Sequence, residues 1–106
     1  MKLGIIIETN DAEKSWNAMR LANTSSKAGH EVKVFLMGAG VEIETLSEGQ
    51  FDVANQVRLF FESSGEILAC GTCLKSRLME GSNMCPISTM MDCLNMIEWA
   101  DKTLTF

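Results

Sequence analysis

The chain has 106 residues, 46% hydrophobic and 22% charged, with 14 acids against 9 bases for a net charge of −5. That length fits one domain spanning residues 1–106 with one core, and the apolar share excludes disorder as the main state. No cluster of Lys or Arg offers the basic face that nucleic acid or an anionic membrane surface requires, and no apolar run approaches the ~20 residues of a membrane span. One His and no Tyr leave few side chains for acid–base catalysis near neutral pH. Lys2 is followed almost at once by Glu8, without a secretory apolar stretch, so a cytoplasmic location is expected. In that setting four Cys point to metal, redox or nucleophilic chemistry instead of a disulfide framework.

The elements alternate in type along the chain. Residues 3–7 form an apolar run rich in β-branched side chains, as in a strand buried on both faces of a parallel sheet. Thr9, Asn10 and Asp11 are all good N-cap types, and Ala12, Trp16, Met19 and Ala22 then recur on one helical face that should end at Ala28-Gly29. Residues 31–37 alternate as a second strand, and Gly38-Ala39-Gly40 reads as a turn. A short helical piece is expected over residues 41–47 and a full helix over residues 50–63, with Val53, Val57 and Phe60 in register. Residues 67–70 read as a short third strand and 71–79 as a short helix. A brief strand over residues 84–87 is confined to an edge or a strand end by Pro86. Thr89 and Asp92 form a capping pattern for a helix carrying Met90, Leu94 and Ile97 on one face, and residues 102–106 read as the last strand. Strand and helix alternate throughout, which predicts a parallel sheet with helices on both faces.

In such folds ligands and reactive groups gather at the carboxyl ends of the strands. That singles out the loops at residues 8–11, 37–40 and 70–73. Cys70-Gly71-Thr72-Cys73 is the sharpest signal, because it stands where a strand hands over to a helix whose free N–H groups favour a thiolate. Lys75 and Arg77 add positive charge nearby. In this reading the first thiol, near the cap, is the accessible attacker and Cys73, one turn in, is the resolving thiol. Cys85 reads equally as a third functional thiol or as a loop Cys, and Cys93 as helix core. Zinc is disfavoured because seven residues separate Cys85 from Cys93, which is not a tight pair. A thioredoxin-type site is disfavoured because the motif follows the third strand, with Pro86 only 13 positions on. Asn10 and Asp11 read as helix caps, Gly38-Ala39-Gly40 as a plain turn, and His30 as a solvated turn residue. Met90, Met91, Met96 and Trp99 on one helix exceed what one sheet face covers, which predicts an interface.

The whole chain resembles the DsrE/DsrF-like proteins, a group that includes YchN-like proteins. The matching parts are the opening strand with its Asp-bearing turn, the Glu31-Val32-Lys33-Val34-Phe35 strand ending in Gly38, and above all Ala69-Cys70-Gly71-Thr72-Cys73-Leu74-Lys75-Ser76-Arg77. Cys85-Pro86, Thr89-Met90 and the closing Thr103-Leu104-Thr105-Phe106 also fit. The resemblance implies a three-layer α/β/α sandwich around a five-stranded, mainly parallel sheet, assembled as a homotrimer or homohexamer. It further implies a sulfur-relay or thiol-redox role, with sulfur carried as a persulfide at Cys70 or Cys73 between donor and acceptor proteins, as in a sulfurtransferase-like carrier without an organic cofactor. Counted back from Arg77, Cys70 matches the sulfur-carrying position of relay members, and Cys73 matches the Cys of small uncharacterised ones. Leu78 departs from the Gly usual after that Arg. The alternative is a non-catalytic oligomeric binding module whose cysteines are structural or hold a metal.

Overall fold

A computed structural model describes residues Met1–Phe106. Its core is a five-stranded sheet in the order β6-β5-β2-β1-β7, built from β1 (Lys2–Ile7), β2 (Glu31–Leu36), β5 (Glu66–Cys70), β6 (Ile87–Ser88) and β7 (Lys102–Thr105). Every neighbouring pair is parallel. The expected three-layer sandwich is therefore observed. The apolar run of β1 lies inside the sheet between β2 and β7, with Leu3, Ile5 and Ile7 buried on one face and Gly4 covered on the other.

The long helix α1 (Ala12–Lys27) packs with α2 (Val53–Glu62) on one face of the sheet. Asp11 starts α1 by accepting a hydrogen bond from the Lys14 N–H at 2.9 Å, and Asp52 starts α2 by accepting from Asn55 at 3.1 Å. Caps of this kind contribute about 1 kcal/mol each. On the buried side Ala18, Met19 and Ala22 of α1 and Val53, Val57 and Phe60 of α2 join the sheet residues in one core. The opposite face is covered by α4 (Met90–Trp99), whose Thr89 cap accepts from Asp92 N–H at 3.3 Å. Its inward residues are Cys93 and Met96. Gly4 lets it sit close, since a Cβ there would already touch Met96 and Ala100 at 3.4 Å.

Four local expectations are corrected. The helix expected from residue 50 starts at Val53, because Ser47–Glu48 (β3) and Phe51–Asp52 (β4) pair as a small antiparallel hairpin. Gly49 makes the turn at a φ of +57°, a conformation that costs Gly nothing. The helix expected over residues 71–79 is only α3 (Gly71–Lys75). Its end is set by Leu78, which takes a left-handed φ of +55° while Met79 N–H returns to the Leu74 carbonyl at 2.9 Å. The edge strand begins one residue after Pro86, whose carbonyl accepts from Ala69 N–H at 2.9 Å. The helical piece after β2 is a 3-10 segment that starts earlier than expected and runs over Gly38–Thr45.

On α4 the face carrying Met90, Leu94 and Ile97 points outward, because the inward stripe is the one through Cys93 and Met96. Met91 beside them is exposed as well, so α4 presents an apolar outer face.

Two substitutions test this backbone. A Cβ at Gly40 would lie 1.9 Å from the Ile7 carbonyl oxygen, so Gly40→Ala should lower unfolding stability by about 3 kcal/mol in a urea titration. Leu78 is 98% exposed and gains no packing for its left-handed backbone, so Leu78→Gly should raise stability by about 0.5–1 kcal/mol in the same assay.

Candidate functional site

The carboxyl ends of β1, β2 and β5 lie at one pole of the sheet, and the three loops expected there do meet. β5 delivers Cys70 and passes directly into α3. Gly71 between them faces β6 so closely that a Cβ would stand 3.1 Å from the Ser88 carbonyl oxygen. One turn into α3 the Cys73 Sγ accepts a hydrogen bond from the Gly38 N–H at 3.1 Å. Gly38 can present that N–H because it leaves β2 at a φ of +55°. Gly40 then lets the 3-10 segment pass against the end of β1. A donor aimed at sulfur interacts more strongly as the sulfur becomes negative.

A polar chain fixes the backbone that carries Cys73. Arg77 Nε donates to Glu42 Oε2 at 2.7 Å, and Arg77 Nη1 donates to the Cys73 carbonyl at 3.2 Å. Ser76 Oγ donates to the same carbonyl at 2.9 Å. Asn10 Nδ2 reaches the other oxygen of Glu42 at 3.3 Å. The hydrogen bond from Arg77 first, then that from Asn10, holds the Glu42 carboxyl below its ordinary range, so the clamp stays ionised at neutral pH. Loops after β1, β2 and β5 are thereby joined through one carboxylate. Arg77 is committed to this pairing, whereas Lys75 lines a cleft of about 580 Å³ together with Cys70, Cys73 and residues 87–90.

The order of access expected for the two thiols is reversed. Cys70 is 4% exposed, whereas Cys73 is only partly buried. Cys70 is still the last residue of β5, so its side chain follows the alternation of the sheet into the layer under α4. It makes no capping bond to α3. With five residues, that helix is also shorter than the sequence pattern suggested.

The other two thiols are structural in setting. Cys85 lies buried under the loop before β6, where Ser82 Oγ accepts its N–H at 3.0 Å and donates to Glu44 at 2.6 Å. Burial first, then the Glu44 charge, pushes the Cys85 thiol up to about 12 against a partial offset by Ser82. Cys93 is buried in α4, and burial first, then repulsion between two thiolates were Cys70 also ionised, raises its pKa. No three His, Cys, Asp or Glu side chains are grouped to hold a metal ion. A groove of about 480 Å³ between α1 and α2 is far from the thiols, and its buried Asn23 is satisfied by Gln56 at 3.0 Å.

Sequence reasoning placed Asn10 as a cap and Gly38 in a plain turn, and it did not single out Glu42. Asp11 performs the capping, which frees Asn10 for Glu42. The available signal was positional: polar and Gly residues at the ends of two strands adjacent to the thiol-bearing one.

Fold and site together define an α/β/α domain with two cysteines at the pole where the strands end. The chain belongs to the DsrE/DsrF-like family, whose model matches residues 1–106. It is 30% identical over 100 residues to uncharacterized protein MK0008 of Methanopyrus kandleri, covering 89% of this chain and 83% of that protein. It is 29% identical over 103 residues to uncharacterized protein MJ0989 of Methanocaldococcus jannaschii, covering 89% and 88%. The crystal structure of the YchN protein from E. coli matches over 100% of both chains with a TM-score of 0.83 at 21% identity, a likeness of fold. No helix is long and apolar enough to cross a membrane.

The Cys85 setting has a pH consequence. An exposed thiol releases its proton near 9, whereas folded Cys85 keeps it to about 12. Between those values the unfolded chain binds fewer protons than the folded one, so stability falls as pH rises, by at most about tenfold in the unfolding constant per pH unit. Denaturant titrations from pH 8 upward should show this decline, and Cys85→Ala should make it shallower.

Proposed function

We propose that this domain is a sulfur carrier of the sulfurtransferase-like type, in which Cys73 accepts sulfur and holds it as a persulfide. The Gly38 N–H directed at Cys73 Sγ carries this reading: it is a fixed donor on a sulfur that also borders the open cleft. Membership in the DsrE/DsrF-like family supports a sulfur-relay or thiol-redox role. Cys73 thus takes the part that the sequence suggested for Cys70. Its thiolate attacks the terminal sulfur of a donor persulfide, the donor S–S bond breaks, and the donor leaves as a thiolate while Cys73 keeps the transferred sulfur. An acceptor thiolate then takes that sulfur in the same way and restores Cys73. Neither step needs a bound cofactor. Lys75, at the cleft, offers positive charge to the incoming and departing anions.

The partners of this reading are sulfur donor and acceptor proteins in a cytoplasmic setting, where four unpaired thiols remain reduced. The apolar surface through Met90, Met91, Leu94 and Ile97 is covered by further copies of the chain in a homotrimer or homohexamer.

A cysteine desulfurase supplied with cysteine tests the assignment. Wild-type protein should gain about 32 Da per sulfur, removable by reductant. Cys73→Ser should slow loading about tenfold or more, and Cys70→Ser should leave its rate near wild type. The opposite ranking would return the role to Cys70. Equal loading of both variants would leave the cysteines as parts of a binding module.

A further inference from the structure

The Cys70–Cys73 spacing suggests one dithiol, but the sheet directs Cys70 elsewhere. Gly4, Lys33 and Glu66 stand in one row across β1, β2 and β5, and this row faces α4: Gly4 abuts Met96, and Lys33 lies over the Trp99 ring at 4.3 Å. Alternation puts Leu68 and then Cys70 on that same face. Leu68 lines a small cavity with Asp92 and Met96 of α4, as this requires. Cys70 is paired with Ser88 in β6, whose hydroxyl donates to Asp92 at 2.6 Å, one residue before Cys93. Cys93 is turned inward with Met96, toward the sheet face that carries Cys70. Two thiols from different layers therefore share one side of the sheet near the N-terminal end of α4.

We propose that Cys70 and Cys93 are the dithiol couple of this domain, closing to a disulfide that ties the end of β5 to α4 when a low-molecular-weight disulfide enters the cleft. Of these two, only Cys70 borders that cleft, so it reacts before Cys93. Its thiolate attacks one sulfur of the reagent, one reagent thiol leaves, and Cys70 becomes a neutral mixed disulfide. In that form Cys70 can no longer set a second thiolate against Cys93. Cys93 loses its proton to solvent and attacks the Cys70 sulfur, and the second reagent thiol leaves. Two protein thiols are oxidised to one disulfide, and one reagent disulfide is reduced to two thiols. This couple is independent of the cysteine that loads sulfur.

The probe is oxidised glutathione in excess over the native full-length chain. Free thiols are trapped in acid with a maleimide, and the digest is mapped by mass spectrometry without reductant. The expected product has lost about two hydrogens and joins the Cys70 and Cys93 peptides. Cys73→Ser should form the same link, whereas Cys93→Ala should stop at glutathione on Cys70. A link between Cys70 and Cys73, or a wild-type chain with Cys93 fully trapped by maleimide after complete unfolding, overturns the proposal. The wild-type map decides even if Cys93→Ala fails to fold, and persulfide loading by Cys73 is read separately.

Discussion

All five strands of the sheet run in one direction, and this single constraint organises the molecule. Parallel neighbours cannot be joined by tight turns, so each connection must return across a face of the sheet. The returning segments supply the roof that a doubly buried strand such as β1 needs. The same constraint brings the chain out of β1, β2 and β5 at one pole. Three loops that are far apart in sequence are thereby within reach of one carboxylate, Glu42, and of one sulfur, that of Cys73.

The site is built on backbone as much as on side chains. Gly38 supplies a donor, Gly40 permits a close passage over Ile7, and Gly71 permits β6 to close over the start of α3. None of these contacts requires a large core, which suits a chain of 106 residues. The ion pair of Arg77 with Glu42 is partly exposed, and such pairs contribute little to stability in water. Its value here is positional, because the same guanidinium also holds the Cys73 carbonyl.

The layer architecture was legible from sequence because its signals are strong and local. Residues 3–7 are apolar on both faces, Asp11 stands at a helix start, and Thr89 is followed three residues later by Asp92. The hairpin at Ser47–Asp52 escaped because two-residue strands carry no usable period. The outward turn of Leu94 and Ile97 escaped because an apolar stripe does not say whether it meets the sheet or another surface. At the site, the sequence located the right segment but ranked its two thiols wrongly for access. That ranking took a Cys near the cap to be open to solvent; Cys70 is the cap residue of α3, but its side chain obeys the strand it ends and is buried. The Gly38 contact spans 35 positions and exists only once β2 and β5 are side by side.

The donor to Cys73 is a main-chain N–H. A Lys, His or Arg in that place would bring a net charge, a flexible stem and, for His, a proton that comes and goes near neutrality. The amide has none of these: it keeps its hydrogen across the range in which thiols titrate, and it is oriented by β2 instead of by a rotamer. The sulfur is thus met by a partner whose own charge is the same in acid and in base; a side chain added at position 38 would strain the left-handed backbone that aims this N–H, and Pro would remove the N–H altogether.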